Sequence, residues 1–116
     1  MTEELWLAAF KGEEYDWPKS PILIGELRRR HLISGPALAA FAKEVEERGL
    51  MASEFVDALC EPPERFQFGA VLAHILVFSA HRRQLAFGVL RELGRDIGYG
   101  DPIVWGRGEA SDSVSC

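Results

Sequence analysis

QFGAVLAHILVFSAHRRQLAFGVLREL, residues 67–93, is the longest stretch of helical period in the chain. At about 100° per residue, most of its apolar side chains fall on one broad arc. Because Gly94 follows directly, the pattern predicts one long helix that ends there. We expect the arc to face a core, and its members are Val71, Leu72, Ile75, Phe78, Leu85, Ala86, Val89, Leu90 and Leu93.

Two further helices are predicted upstream. Thr2 can cap a first helix that ends at Gly12. Two glutamates in its first turn, Glu3 and Glu4, place negative charge at the positive end of the helix dipole and stabilise the helix. Ser20-Pro21 is a typical helix start, and apolar residues at helical spacing continue to about Glu47. Gly35-Pro36 predicts a kink or a brief break within this second helix.

The remaining segments read as connections. Residues 13–19 lack a sustained period, and Pro62-Pro63 forbids regular helix, so residues 54–59 are expected to run extended across the helices. With no alternating strand pairs in view, the chain predicts an all-α, up-down helical bundle over residues 1–105. Asp101-Pro102 is expected to start a last turn, and residues 106–116 to form a flexible polar tail.

Composition limits the function classes. The chain has 116 residues and a formal net charge of -5, which disfavours nucleic acid as a partner. Two cysteines are too few for a disulfide framework, so a reducing compartment is expected. The start lacks a basic segment followed by an apolar one, and no run approaches about twenty apolar residues. These features predict a cytoplasmic protein without a membrane span.

Polar residues of the long helix are the candidate site. His74 and His81 share one side of it, but seven residues span about 10.5 Å, too far for both imidazoles to bind one metal ion. Arg82 falls near the middle of the apolar arc and needs a carboxylate, for which Asp57 is the first candidate and Glu54 or Glu4 are others. The alternatives are ordinary boundary histidines and an arginine that reaches the solvent.

The segment from Phe68 to Leu85 resembles the last helix of DinB/YfiT-like proteins, which commonly ends in His-Arg-x-Gln, here His81-Arg-Arg-Gln84. Residues 55–63, Phe-Val-Asp-Ala-Leu-Cys-Glu-Pro-Pro, and the later Gly-Asp-Pro-x-x-Trp that ends at Trp105 look like the actinobacterial-type members. The similarity spans residues 4–105, although His-Arg-x-Gln alone is a functional motif.

This resemblance implies a bundle in which three histidines hold a divalent metal such as zinc or nickel, often in dimers that act as hydrolases or small-thiol transferases. His81 matches the last ligand, the ligand one turn earlier would fall on Val77, and His74 is out of register by three. The family's first helix and its histidine would precede this chain, so either the start is truncated or the site is lost. A homodimer could cover the apolar face thereby exposed.

Two functions are therefore expected as alternatives. The first is a metal-dependent hydrolase or small-thiol transferase with an incomplete metal site at His81 and His74, acting on a small molecule that the sequence does not identify. The second is a non-catalytic, dimeric helical-bundle protein that has lost metal binding. Cys60 with His81 as nucleophile and base is conceivable, but the spacing does not require their contact.

Overall fold

The computed structural model describes residues 2–98 and 100, so the predicted last turn after Asp101 and the polar tail 106–116 lie outside the described residues. Three helices and two strands occur in this part of the chain. In chain order they are α1 (Thr2–Lys11), α2 (Ile24–Glu47), β1 (Glu54–Asp57), β2 (Glu64–Gln67) and α3 (Phe68–Glu92).

The predicted all-α bundle is wrong, because β1 and β2 form an antiparallel two-stranded sheet beside the helices. The fold is therefore an α+β mixture. Phe55 pairs with Phe66 and Asp57 with Glu64, and Phe55 and Asp57 turn toward the interior while their neighbours are exposed. Four-residue strands are too short to show a clear alternation. The prolines at 62 and 63 lie in the connection between the two strands, where no helix forms, as predicted.

Helix α1 confirms its predicted bounds. Glu3 and Glu4 lie in its first turn. It ends at Gly12, whose φ of 66° is the left-handed conformation that glycine adopts without strain. The backbone amide of Glu13 then donates to the Ala8 carbonyl at 2.9 Å, which satisfies one of the last helical carbonyls.

Helix α2 begins later than predicted. Leu23 precedes its first turn in an extended conformation and makes no side-chain cap, so Ser20-Pro21 lies in the connection instead. The helix also continues through Pro36, where the sequence predicted a kink or a brief break, so the chain shows no break there. Proline removes one backbone hydrogen bond, which is a local cost that the turns on both sides can tolerate.

An aromatic cluster fills the centre of residues 1–73, one of two compact units of the chain. The Phe10 ring stacks on Phe41 with centroids 4.8 Å apart and meets Phe55 at 4.9 Å. Phe68, the first residue of α3, lies 4.9 Å from Phe55. The cluster joins α1, α2, β1 and the start of α3 in one core, because burying the four rings against one another removes a large apolar area from water.

Helix α3 confirms the prediction of a long helix. It ends at Glu92, and Gly94 with a φ of 76° provides the turn that lets the Arg95 amide donate to the Leu90 carbonyl at 2.9 Å. The boundary between the two units falls inside this helix, after Ala73. The second unit, described through Gly100, therefore starts with the helical residues that carry the predicted site.

Candidate functional site

The apolar arc of α3 changes its environment along the helix. Val71 and Ile75 are 5% and 7% exposed, as expected for a core face. Leu85 and Val89 lie on the same arc further along, yet they are 60% and 57% exposed. The prediction that the whole arc is buried is therefore correct at its start and wrong over the rest of the helix.

His74, Phe78, His81 and Arg82 form one side-chain cluster on the exposed part of α3. The His74 ring stacks on Phe78 with centroids 5.1 Å apart, and the His81 ring lies 6.0 Å from Phe78 on a tilted plane. The Arg82 guanidinium sits over the same ring at 4.8 Å, a favourable cation–π distance. The structure thus brings the two predicted histidines to a shared phenylalanine.

Asp57 is buried at the end of β1, and both its carboxylate oxygens accept local hydrogen bonds. The Leu59 amide donates to Oδ1 at 2.9 Å, and the Cys60 thiol donates to Oδ2 at 3.3 Å. Asp57 and Arg82 belong to different compact units, so their ion pair stays a prediction. Of the other predicted carboxylates, Glu54 lies 3.8 Å from Arg65.

Cys60 is poorly suited to act as a nucleophile in this environment. The hydrogen bond to the Asp57 carboxylate, followed by burial, raises the pKa of the thiol above its ordinary range. Only the thiolate is an effective nucleophile, and a neighbouring carboxylate opposes its formation. The conceivable pairing of Cys60 with His81 therefore gains no support from the local electrostatics of the thiol.

A polar contact between α1 and α2 escaped the sequence reasoning. The Arg30 guanidinium donates from Nε and Nη2 to the two carboxylate oxygens of Glu4, at 2.8 and 2.6 Å, in a half-buried bidentate pair. The hydrogen bonds from Arg30 hold the pKa of Glu4 below its ordinary value, although burial opposes them. Burial and then the Glu4 charge raise the pKa of Tyr15. The buried Tyr15 hydroxyl lies close enough to Glu4 and Arg30 to interact with both.

A second polar contact between the same helices joins Glu3, the residue before Glu4, to His31 and Ser34 of α2. The buried Ser34 hydroxyl donates to Glu3 Oε2 at 2.6 Å, and His31 Nδ1 lies 3.0 Å from the same oxygen. A Cβ at Gly35 would lie 3.1 Å from the exposed His31 ring, so the ring would have to shift by a few tenths of an ångström. Ser34 gives its proton to a carboxylate and not to the imidazole, so this arrangement is not a base-activated nucleophile.

Weak signals for these contacts do exist in the sequence. Two adjacent acids, Glu3 and Glu4, open one helix, and Arg30 and His31 are adjacent in another. The basic run from Arg28 to Arg30 reads as a solvated face, whereas only Arg28 and Arg29 are exposed and Arg30 turns toward α1. Nothing in the spacing states which helices pack together, so the partners were not predictable.

Comparison of the chain with protein-family models, with curated proteins and with solved structures finds no match. Within residues 2–98 and 100, no three histidine, cysteine or acidic side chains gather in a group able to hold a metal ion. No helix in the described part of the chain combines the length and apolar character that crossing a membrane requires.

Proposed function

We propose that this protein works as a homodimer through the exposed part of α3 and is an interaction protein rather than an enzyme. The observation that carries the proposal is the exposure of large apolar side chains on residues 76–93. They are Leu76 (73%), Val77 (71%), Phe78 (40%), Leu85 (60%), Val89 (57%), Leu90 (36%) and Leu93 (71%).

Exposure on this scale is costly in water. Single exposed leucines are ordinary on protein surfaces, but large apolar side chains exposed on successive turns of one helix, such as Phe78, Leu85 and Val89, are typical of a binding interface. Covering it releases about 25 cal/mol for each square ångström of apolar area removed from water. A cytoplasmic setting belongs to the same proposal, because the free Cys60 thiol fits a reducing compartment.

Light scattering on the intact chain tests this proposal. We expect a concentration-dependent species of twice 13.0 kDa, and we expect Leu85→Glu to abolish it. Glu47→Gln, which changes an exposed residue of α2, is the matched control and should leave the dimer unchanged. A 13.0 kDa species at every concentration would refute the dimer.

The second candidate is the metal-dependent hydrolase or small-thiol transferase that the DinB/YfiT-like resemblance implies. It is supported by the accessibility of both imidazoles beside Phe78. His74 and His81 alone do not fit one zinc or nickel ion, because about 10.5 Å along the helix axis separates them. Further ligands would have to come from elsewhere, and we derive no reaction step from these residues.

Metal analysis of the purified protein tests the second candidate. One tightly bound zinc or nickel ion per chain that is lost in His81→Ala would support it, with His31→Ala as the control histidine. If the metal content is negligible and His81→Ala leaves the thermal midpoint unchanged, the metal-dependent function fails and the dimer proposal is unaffected.

A further inference from the structure

The exposed arc of α3 continues a heptad pattern. Seven positions follow one another at alternating spacings of four and three residues, which is the repeat that keeps a narrow stripe facing a partner helix. We call this stripe the seam, and its members are Val71, Ile75, Phe78, Arg82, Leu85, Val89 and Glu92. The first two are buried, and the last five are exposed.

Two residues away from the exposed part of the seam, Phe87 and Arg91, contact their own chain. A side chain at Gly100 would collide with the Phe87 ring, and Arg91 Nη2 donates to the Gly98 carbonyl at 3.1 Å. Phe87 points about 160–200° away from its neighbouring seam members Leu85 and Val89. Gly100 therefore lies on the side of the helix away from the exposed members of the seam.

We propose that a second copy of α3 packs on this seam in the antiparallel direction, with the two-fold axis at the height of residue 87 along the helix. This inference rests on the homodimer proposed above and specifies its geometry. In this register, Leu85 of each copy faces Val89 of the other, and Arg82 of each copy faces Glu92 of the other. An isologous interface of this kind closes on itself as a dimer.

Charge complementarity selects this register over the parallel one. A parallel pair would place Arg82 against Arg82 and Glu92 against Glu92, and like charges across a seam destabilise the pairing. The antiparallel pair converts the same four side chains into two ion pairs that flank an apolar centre. The seam is therefore complementary to itself only when the second copy is reversed.

Glu92 supplies an independent reason for the pairing. It lies in the last turn of α3, where the negative end of the helix dipole disfavours a carboxylate. Glu92 forms no ion pair within the part of the chain that the structure describes. An arginine from a second copy would offset this local cost. A residue that is unfavourable for its own helix is expected where the helix serves as a contact surface.

The residues beside the centre are small. Ala86 and Gly88 flank the seam next to the proposed axis, and a side chain at Gly88 would meet nothing within 4 Å. Small side chains at this position let two helices approach closely. The most exposed apolar residues of α2 lack such an arrangement, because Ile24, Leu32 and Ile33 point in different directions around that helix.

Disulfide crosslinking tests the register in the intact chain carrying Cys60→Ser and Cys116→Ser. In the proposed pairing Ala86 lies near Ala86 of the second copy, whereas the two Ser79 residues are about 24 Å apart along the axis. Both residues are exposed and occupy equivalent heptad positions. We expect Ala86→Cys to crosslink to dimer and Ser79→Cys to remain uncrosslinked.

A charge exchange sharpens the test. Arg82→Glu and Glu92→Arg should each weaken the dimer about tenfold in Kd, because two attractive contacts become repulsive. The double variant should restore the original affinity. Glu92→Arg is the more demanding single variant, since removing the carboxylate from the last turn should strengthen the helix itself while weakening the dimer.

The outcomes separate the two proposals. A monomer at every concentration, the result expected if residues 101–116 of the same chain covered the seam, would overturn the dimer and the register together. A dimer in which both cysteine variants crosslink equally is parallel and overturns the register alone. If neither cysteine variant crosslinks and the Kd of the dimer is unchanged in the charge-exchange variants, the dimer uses another surface. That result also overturns the register.

Discussion

The first turns of α3 and its later turns have similar sequences and opposite environments. Residues 68–73 belong to the unit that holds the aromatic core, whereas residues 76–92 carry Phe78, Leu85 and Val89 of the same seam in exposed positions. Helical period and apolar content do not distinguish the two parts. The comparison teaches that an amphipathic pattern reports a face that needs cover, without reporting whether the same chain provides it.

The largest contrast is expected between two phenylalanines. Phe10 is 7% exposed at the centre of the aromatic cluster, and Phe78 is 40% exposed on the later turns of α3. We expect Phe10→Ala to lower the free energy of unfolding by about 3–5 kcal/mol and Phe78→Ala by roughly 1 kcal/mol or less. Urea unfolding at a concentration where the monomer dominates measures both. Equal losses would mean that Phe78 is covered within the monomer.

Two valines of the seam give a matched comparison at smaller scale. Val71 is 5% exposed and Val89 is 57% exposed. Val71→Ala should cost about 2 kcal/mol of stability because it leaves a cavity, and Val89→Ala no more than about 0.5 kcal/mol in the monomer. Chemical denaturation of the two variants side by side decides this, and a larger loss for Val89→Ala would contradict the exposed seam.

The Glu4–Arg30 pair should stabilise the unit of residues 1–73 more than a pair on the surface does. A double-mutant cycle with Glu4→Gln and Arg30→Gln is expected to give a coupling of about 1 kcal/mol, because the contact is bidentate and half-buried. The exposed Glu26–Arg29 pair, separated by three residues on one helix, is the control and should give a clearly smaller coupling. Equal couplings would show that the α1–α2 contact is loosely held.

The same pair predicts a pH dependence. Since Arg30 holds the pKa of Glu4 below the value of the unfolded chain, the contribution is present above pH 4.5 and is lost as the pH falls through the lower, folded-state pKa. Thermal midpoints of the native protein and of Glu4→Gln should therefore converge as the pH is lowered below about 4.5. Glu14→Gln is the control variant, and the difference between its thermal midpoint and that of the native protein should not shrink in this way as the pH falls.

The smallest effect is expected at Arg82. Its side chain is exposed and lies over Phe78, so Arg82→Ala should change monomer stability by about 0.5 kcal/mol or less. Arg30→Ala, which removes the Glu4 contact, should cost more. A loss of several kcal/mol in thermal melts of Arg82→Ala would instead support the predicted burial of Arg82 against a carboxylate such as Asp57.

Local chemistry determined the helices. Gly12 follows the end of α1 and Gly94 follows the end of α3, because left-handed glycine acts over a few residues that are adjacent in the chain. The start of α2 was predicted too early, since Ser20-Pro21 is compatible with both a helix start and a connection. Strands of four residues carry too little pattern to reveal a hairpin, so β1 and β2 were missed.

Tertiary structure alone decided the partners of the charged residues and the environment of the seam. Arg30 meets Glu4 across 26 positions of sequence, and the local pattern of neither helix encodes that distance. The sequence by itself placed His74, His81 and Arg82 on one long helix with an apolar arc. Which part of that arc is buried depends on contacts between residues far apart in the chain, and such contacts arise only when the elements pack.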